Sequence, residues 1–161
     1  MKAILSVDLD YGIGKNGGLL VRIPEDMKRF KRITLGGTVV MGRKTYESLP
    51  GKKPLPGREN IILSKTLGQA DGFTVLNSIS ELLSFLSEYD TDKVFVIGGG
   101  EIYRLLLPYC SDVYLTVIEH RLGADTFLPR ICESGEWVKQ GSSASFCHDL
   151  IKYHFEDFKR I

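Results

Sequence analysis

The stretch VFVIGGGEIY, residues 94–103, decides the fold. Its apolar half predicts a buried strand, and the residues after Gly98, Gly99 and Gly100 predict a helix that begins at once. Three glycines let the backbone approach a ligand closely, and the unpaired N–H groups of a helix start favour an anion. A plain strand-to-helix turn is the alternative, but such a turn rarely needs three glycines. We therefore predict a phosphate-binding turn.

Outward from this stretch, similar strand and helix patterns alternate along most of the chain. We predict strands at residues 3–7, 38–41, 60–63, 73–76, 93–97 and 113–118, and helices at residues 24–33, 44–49, 80–87 and 101–107. Near the C-terminus, Ile151, Tyr153 and Phe155 alternate with polar residues, which indicates a half-exposed antiparallel strand whose expected partner is residues 137–140. The sequence predicts an α/β fold with a mainly parallel sheet and a C-terminal antiparallel hairpin.

Composition excludes several classes of protein. A chain of 161 residues without an internal linker predicts one domain, residues 1–161. The net charge of +1 argues against broad electrostatic binding of nucleic acid or of an anionic membrane. The three cysteines are widely spaced and odd in number, which favours free thiols in a reducing compartment. We see neither a signal peptide nor a run of transmembrane length, and expect a cytoplasmic protein.

A second candidate anion site lies in residues 38–48, TVVMGRKTYES. Here a strand again meets a glycine and then a helix, and Arg43 and Lys44 fall in the first helical turn. Cations there oppose the helix dipole unless an anion joins them. Ser64 and Lys65 follow another strand. A solvated basic turn is the alternative, but several phosphate contacts at strand ends favour a dinucleotide with an additional phosphate, so NADPH rather than NADH.

The segment GIGKNG, residues 12–17, matches the dinucleotide fingerprint G-x-G-x-x-G. A true fingerprint opens a helix, whose N-terminus receives the pyrophosphate. Because Pro24 is the first helix signal after Gly17, we interpret the segment instead as a mobile glycine-rich loop of the kind that serves as a lid. An ordinary turn is the remaining alternative.

A lone carboxylate lies on an apolar helix face. Asp26, Phe30 and Ile33 share one face of the helix from Pro24, so Asp26 is expected to be poorly solvated. A buried carboxylate needs a partner, and Thr116 in an apolar strand is a candidate. The alternative is a helix-start acid that only complements the dipole.

Taken in order, these features resemble the dihydrofolate reductase family of the bacterial type. The matching segments are residues 12–17 (GIGKNG), 23–31 (IPEDMKRFK), 41–48 (MGRKTYES), 54–58 (PLPGR), 97–103 (IGGGEIY), 114–116 (YLT), 125–126 and 129. Each segment alone is weak, whereas the ordered set is specific and covers nearly the whole chain.

The resemblance implies an eight-stranded mixed sheet with flanking helices, and NADPH-dependent reduction of dihydrofolate to tetrahydrofolate without a metal. Hydride would pass to pterin C6 and a proton to N5. Asp26 and Thr116 would be catalytic, with Thr116 holding Asp26 as it pairs with the pterin. Arg58 would bind the substrate's α-carboxylate, a task suited to a guanidinium.

The resemblance also implies two sets of binding residues. The substrate set is Leu5, Ser6, Asp26, Met27, Phe30, Leu49, Leu55, Arg58, Ile97, Tyr103 and Thr116. The cofactor set is Ser6, Ile13, Gly14, Leu19, Gly42, Arg43, Lys44, Thr45, Leu63, Ser64, Lys65, Ile97, Gly98, Gly99, Gly100, Glu101, Ile102 and Tyr103. The expected partners are dihydrofolate and antifolate inhibitors, with no membrane and no required nucleic acid, and the protein is expected to be a monomer.

The chain departs from the family pattern at four positions. Leu20 and Val21 stand where the family usually has Pro and Trp, and we expect Val21 to leave a wider pterin pocket. Ser6 replaces a common alanine, and Ala124 a glycine. Two rival functions remain: a reductase of the same fold that acts on a riboflavin-pathway pyrimidine, and a non-catalytic protein of this fold that contacts RNA. Asp26, Arg58 and the three glycines favour the folate reductase.

Overall fold

The computed structural model describes residues 1–161 and contains eleven β-strands and four α-helices. The strands are β1 (Lys2–Val7), β2 (Gly12–Gly14), β3 (Thr38–Gly42), β4 (Glu59–Leu63), β5 (Thr74–Leu76), β6 (Val94–Gly98), β7 (Asp112–Ile118), β8 (Thr126–Phe127), β9 (Trp137–Ser142), β10 (Phe146–His148) and β11 (Ile151–Arg160). The helices are α1 (Pro24–Thr34), α2 (Arg43–Ser48), α3 (Ile79–Phe85) and α4 (Gly100–Leu106). The strands and helices predicted from pattern are present, with ends displaced by at most two residues except in β11, which continues to Arg160 beyond the predicted alternation.

The main sheet is mixed and mainly parallel, as predicted. Its strand order is β10-β11-β7-β1-β6-β3-β4-β5, and the six strands from β7 to β5 are parallel. This path contains the expected eight strands, and β9 adds a ninth by pairing with β11. Strands β2 and β8 form a separate two-stranded sheet.

The C-terminal hairpin is more elaborate than the sequence predicted. The expected partner, β9, pairs only with the second half of β11, from Glu156 to Arg160. The first half pairs with β10, which the sequence analysis missed, and Tyr153 lies opposite Phe146. The turn between β10 and β11 places Asp149 and Leu150 at φ of 47° and 67°. Leu150 is an unusual residue for positive φ, so turn chemistry gave no signal for this hairpin.

Alternation along the strands sends side chains to two hydrophobic cores. In β1, Ala3 and Leu5 join one core with Ile102 and Leu106 of α4, whereas Ile4 joins the other, against which Phe30 of α1 packs. Helix α1 therefore covers one face of the sheet and α4 the other. None of the helices combines the length and hydrophobicity that a membrane crossing requires.

Local signals explain where the helices begin. Pro24 occupies the first turn of α1, and Glu25 and Asp26 place negative charge at its N-terminus. The Ser78 hydroxyl accepts a hydrogen bond from the Glu81 backbone N–H and caps α3. Both α2 and α4 begin directly after a glycine at the end of a parallel strand, which brings their N-termini to the same edge of the sheet.

Candidate active site

A cavity of about 1230 Å³ opens at the carboxyl ends of β1, β3, β4 and β6. In open α/β sheets this edge is where ligands bind. The cavity is lined by every residue of the two predicted binding sets except Arg58 and Thr116. The structure thus brings both sets to one place, with the substrate set and the cofactor set meeting near Ser6, Ile97 and Tyr103.

Asp26 lies at one end of this cavity and is half-buried. The Thr116 hydroxyl donates to Asp26 Oδ1 at 2.6 Å, as the sequence analysis anticipated. The Ser6 hydroxyl donates to Oδ2 at 2.8 Å, which it did not anticipate. Ser6 and Thr116 are opposite each other in the β1–β7 ladder, so the sheet register presents two hydroxyl groups to one carboxylate.

The walls around Asp26 are largely apolar. Met27 and Phe30 from α1 face the cavity together with Leu49 and Leu55, and Ile97 closes it from the end of β6. Such walls suit a flat aromatic ring, because they bury its faces and leave a few polar groups to fix its orientation.

The other end of the cavity is built from backbone. Helices α2 and α4 begin after Gly42 and Gly99, and neither has a side-chain cap on its first N–H groups. Gly98 has φ of +124°, which side-chain-bearing residues rarely adopt, and its peptide bond to Gly99 is cis. A Cβ at Gly98 would also lie 3.3 Å from Thr45 Oγ1. These free donors and the close glycine backbone form a cradle that fits a diphosphate.

Tyr103 in α4 lies beneath this cradle. Its hydroxyl donates to the Ile4 carbonyl at 2.8 Å, and this bond ties α4 to β1 across the sheet. Burial and the nearby Asp26 charge raise the pKa of Tyr103 above its usual range. The hydroxyl therefore stays protonated, and the fixed α4 holds the glycines in place.

The basic residues of the cofactor end differ in how they are engaged. Arg43 Nε donates to Glu47 Oε1 at 2.8 Å, and Arg43 Nη1 donates to Thr66 Oγ1 at 3.2 Å. The hydrogen bond from Arg43 lowers the pKa of Glu47. The expected conflict between Arg43 and the helix dipole is thus partly relieved by Glu47 in the same helix. Lys44 and Lys65 line the cavity and form no ion pair.

The glycine-rich segment runs past the middle of the cavity and does not open a helix, so it is not a dinucleotide fingerprint. The interpretation of residues 12–17 as a loop is only partly right, because Gly12–Gly14 form strand β2, which pairs with β8, and the turn follows this strand. Asn16 and Gly17 form a turn with φ of 51° and 77°. The Asn16 backbone N–H donates to Asp125 Oδ2 at 2.8 Å, and this bond lowers the pKa of Asp125. The buried Asp8, which the sequence analysis missed, accepts from the Gly12 N–H at 2.8 Å and anchors the start of the loop.

Arg58 lies outside the main cavity, beside its substrate end. Its Nε donates to the Pro56 carbonyl at 3.0 Å, and Nη1 donates to Thr34 Oγ1 at 3.1 Å. The guanidinium lies 5.9 Å from the centre of the Phe30 ring. Burial lowers the pKa of Arg58, although a guanidinium stays charged in proteins. Its two fixed bonds leave Nη2 free for a carboxylate.

Val21 does not line the cavity. It packs against a small apolar cluster formed by Ile23, Ile118 and Tyr153. Val21 therefore forms no wall of this cavity, because the segment after Leu19 turns toward the antiparallel edge of the sheet, and the wider pterin pocket stays a prediction. Leu19 is the residue of this segment that reaches the cavity, and 60% of it is exposed.

Sequence reasoning also missed a third helix start at the cofactor end. Asn77, Ser78, Ile79 and Ser80 line the cavity at the beginning of α3. The available signal was Ser78 followed three residues later by Glu81, the pattern of a capping box. In the structure the Glu81 carboxylate also accepts from the Asn77 N–H at 2.7 Å.

The comparisons with known proteins agree with this geometry. The family model described as dihydrofolate reductase matches residues 1–160. The dihydrofolate reductase of Mycobacterium leprae (strain TN) is 40% identical over 152 residues, covering 88% of this chain and 90% of that protein. The bifunctional dihydrofolate reductase-thymidylate synthase of Daucus carota is 37% identical and covers 99% of this chain. This chain spans only about a third of that plant protein's length, 34%.

A solved structure is similar over nearly the whole chain. It is the dihydrofolate reductase from Enterococcus faecalis complexed with NADP(H) and RAB-propyl, with a TM-score of 0.87 and 35% sequence identity. The alignment covers 99% of this chain and 95% of that one.

Proposed function

The chain belongs to the dihydrofolate reductase family, and we propose that it reduces 7,8-dihydrofolate to 5,6,7,8-tetrahydrofolate with NADPH. This reaction supplies one-carbon metabolism and the synthesis of thymidylate and purines. One observation carries the proposal: Asp26, held by two hydroxyl groups, lies in the same cavity as the uncapped helix starts beside Gly42 and Gly99. Relatives of similar length, from Mycobacterium leprae and Bacillus subtilis, are named dihydrofolate reductase.

At the substrate end, Asp26 orients the pterin. A carboxylate accepts two parallel N–H bonds, here from the exocyclic amino group and the adjacent ring nitrogen. Thr116 holds the carboxylate from the buried side. Asp26 is the only carboxylate among the apolar walls, so it is the group that influences protonation at N5. The walls exclude water, which strengthens its effect in a low-dielectric site.

At the cofactor end, the chain offers backbone donors and nearby cations. The first N–H groups of α2 and α4 would hold the diphosphate, and Lys44, Ser64 and Lys65, with Arg43, would contact the additional phosphate. When bound, NADPH supplies the hydride that is added to C6. The chain's contribution is alignment: Ile97 separates the two ends and fixes how closely the rings stack.

The remaining groups complete the site. Arg58, with Nη2 unengaged, binds the α-carboxylate of the substrate's glutamate tail, away from the reacting ring. The glycine-rich loop is held by the hydrogen bond from Asn16 to Asp125, and its Leu19 side chain covers the reacting centre.

The proposal also covers the domain organisation, oligomeric state, inhibitors and cellular compartment of the enzyme. We propose a single domain over residues 1–161 that acts as a monomer and also binds antifolate inhibitors. Cys110, Cys132 and Cys147 are all free, which supports a reducing, cytoplasmic compartment.

The test is an absorbance assay. Purified protein is mixed with NADPH and dihydrofolate, and the loss of the reduced-nicotinamide absorbance is followed against a mixture without dihydrofolate. We expect oxidation that depends on dihydrofolate and is faster with NADPH than with NADH. Oxidation with an aminated ribityl pyrimidine but not with dihydrofolate would replace the proposal by the riboflavin-pathway alternative.

A further inference from the structure

The two hydroxyl groups on Asp26 come from neighbouring parallel strands. Ser6 of β1 and Thr116 of β7 are partners in the ladder, and their side chains lie side by side on one face. Thr116 is buried and bonds Oδ1 at 2.6 Å, whereas Ser6 lines the cavity and bonds Oδ2 at 2.8 Å. Each carboxylate oxygen therefore has one donor fixed by the sheet.

This arrangement determines the plane of the carboxylate. The torsion that turns a carboxylate about its bond to Cβ is soft, so one hydroxyl bond leaves the plane poorly defined. A second donor on the other oxygen fixes it. Each oxygen can accept about two hydrogen bonds, so one acceptor position per oxygen remains for a ligand.

The fold alone does not account for a serine at this position. On the face of β1 that Ser6 shares, Ile4 is buried and apolar, and the only hydrogen bond of the Ser6 side chain is the one to Asp26. Without that bond, the hydroxyl would add a polar group to an apolar strand and would stabilise nothing in the fold.

We propose that Ser6 is a positioning residue, whose hydroxyl fixes the Asp26 carboxylate so that its two remaining acceptor positions match a pair of adjacent N–H donors. Ser6 thereby selects ligands with a 2-aminopyrimidine edge over ligands with a single donor. The inference rests on the proposed function, because the pterin of dihydrofolate carries such an edge.

The test compares two probes on the full-length protein by calorimetry. One is a 2,4-diaminopyrimidine antifolate, and the other is the same compound with hydrogen in place of the 2-amino group. Ser6→Ala should weaken binding of the first by roughly 5- to 20-fold, the range expected for a lost hydrogen bond to a charged group that acts indirectly. Binding of the second should change by less than about 2-fold, because a single donor does not need a fixed carboxylate plane.

Further variants separate positioning from packing. Ser6→Thr keeps the hydroxyl and should retain the wild-type ratio of the two affinities. Ser6→Cys introduces a side chain of similar size whose thiol is a weak donor. The ratio of the two affinities should therefore fall as it does in Ser6→Ala. Ser87→Ala, which changes an exposed serine in the 3-10 turn that follows α3, is the matched control and should change neither affinity. In turnover, Ser6→Ala should raise KM for dihydrofolate more than it lowers kcat.

One result would overturn the role of Ser6: a ratio of the two affinities that keeps its wild-type value in both Ser6→Ala and Ser6→Cys, whether the affinities themselves are unchanged or fall equally. The binding ratio does not depend on turnover. Failure of wild-type protein to oxidise NADPH with dihydrofolate would defeat the proposed function, and the ratio would still decide what Ser6 does.

Discussion

Asp26 and the glycines at the end of β6 lie in one cavity, yet the two ends of that cavity are constructed differently. At the Asp26 end, recognition depends on side chains: one carboxylate, two hydroxyl groups and apolar walls. At the Gly98 end it depends on backbone, with uncapped helix N–H groups and a glycine at φ of +124°. Arg43, Lys44 and Lys65 line the cavity at this second end, whereas Arg58 lies outside the cavity beside the first.

Because one end of the cavity depends on side chains and the other on backbone, amino-acid substitutions should affect the two ends differently. A side-chain site is lost when one functional group is removed, even if the backbone stays in place. A backbone site has no functional group to remove, and it is lost only when an added side chain displaces the chain. The two ends should therefore respond to opposite kinds of change: deletion of atoms at Asp26 and addition of atoms at Gly98.

The largest effect is expected from Asp26→Asn. The amide keeps the shape of the side chain but cannot carry charge, so the hydride-transfer rate at neutral pH should fall by roughly 10²- to 10⁴-fold. Part of the rate should return as the pH falls, because acid protonates dihydrofolate in advance. Single-turnover rates across pH measure this, with the exposed Asp71→Asn as control. A wild-type rate at neutral pH would remove Asp26 from the mechanism.

At the backbone end, the corresponding change is Gly98→Ala. The added Cβ is strained at φ of +124° and lies 3.3 Å from Thr45 Oγ1, so the turn must move. Strain of about 1–3 kcal/mol corresponds to roughly 5- to 150-fold weaker NADPH binding. Antifolate binding without cofactor should change much less.

Calorimetric titration with NADPH measures the effect of Gly98→Ala. Gly141→Ala is the control, because a Cβ there meets nothing within 4 Å and φ is not positive. Equal losses of NADPH and antifolate affinity would show that the two ends do not respond separately.

The same contrast explains what the sequence could reveal. The glycines of residues 98–100 and the apolar strands are local patterns, so the sheet and the backbone cradle were predictable. The contact of Asp26 with Thr116 was also proposed, because an isolated carboxylate on an apolar helix face needs a partner.

Other features depend on long-range geometry. The Ser6 bond to Asp26 follows from the register of β1 on β7, which no local pattern encodes. The packing of Val21 against Ile118 and Tyr153 was not predictable, because the path of a loop without regular structure cannot be deduced from its residue types. The pairing of Arg43 with Glu47 was detectable, since residues four apart on a helix are neighbours, but the pair was not considered.

The smallest effect is expected from Arg43, and it tests whether the cations around the backbone end act as the glycines do. Arg43 is exposed and already bonds Glu47 and Thr66, so an added phosphate must compete for its guanidinium. A free charge-assisted contact is worth about 1.5–3 kcal/mol, and exposure and competition reduce this gain. Arg43→Ala should therefore weaken NADPH binding by only about 3- to 10-fold and leave NADH binding unchanged.

Glu47→Gln releases Arg43 from its ion pair and should shift the preference slightly toward NADPH. The measurement is the ratio of KM for the two cofactors in wild type and both variants. An equal loss with both cofactors in Arg43→Ala would show that Arg43 does not contact the additional phosphate, and the unpaired Lys44 and Lys65 would then be the groups that select NADPH.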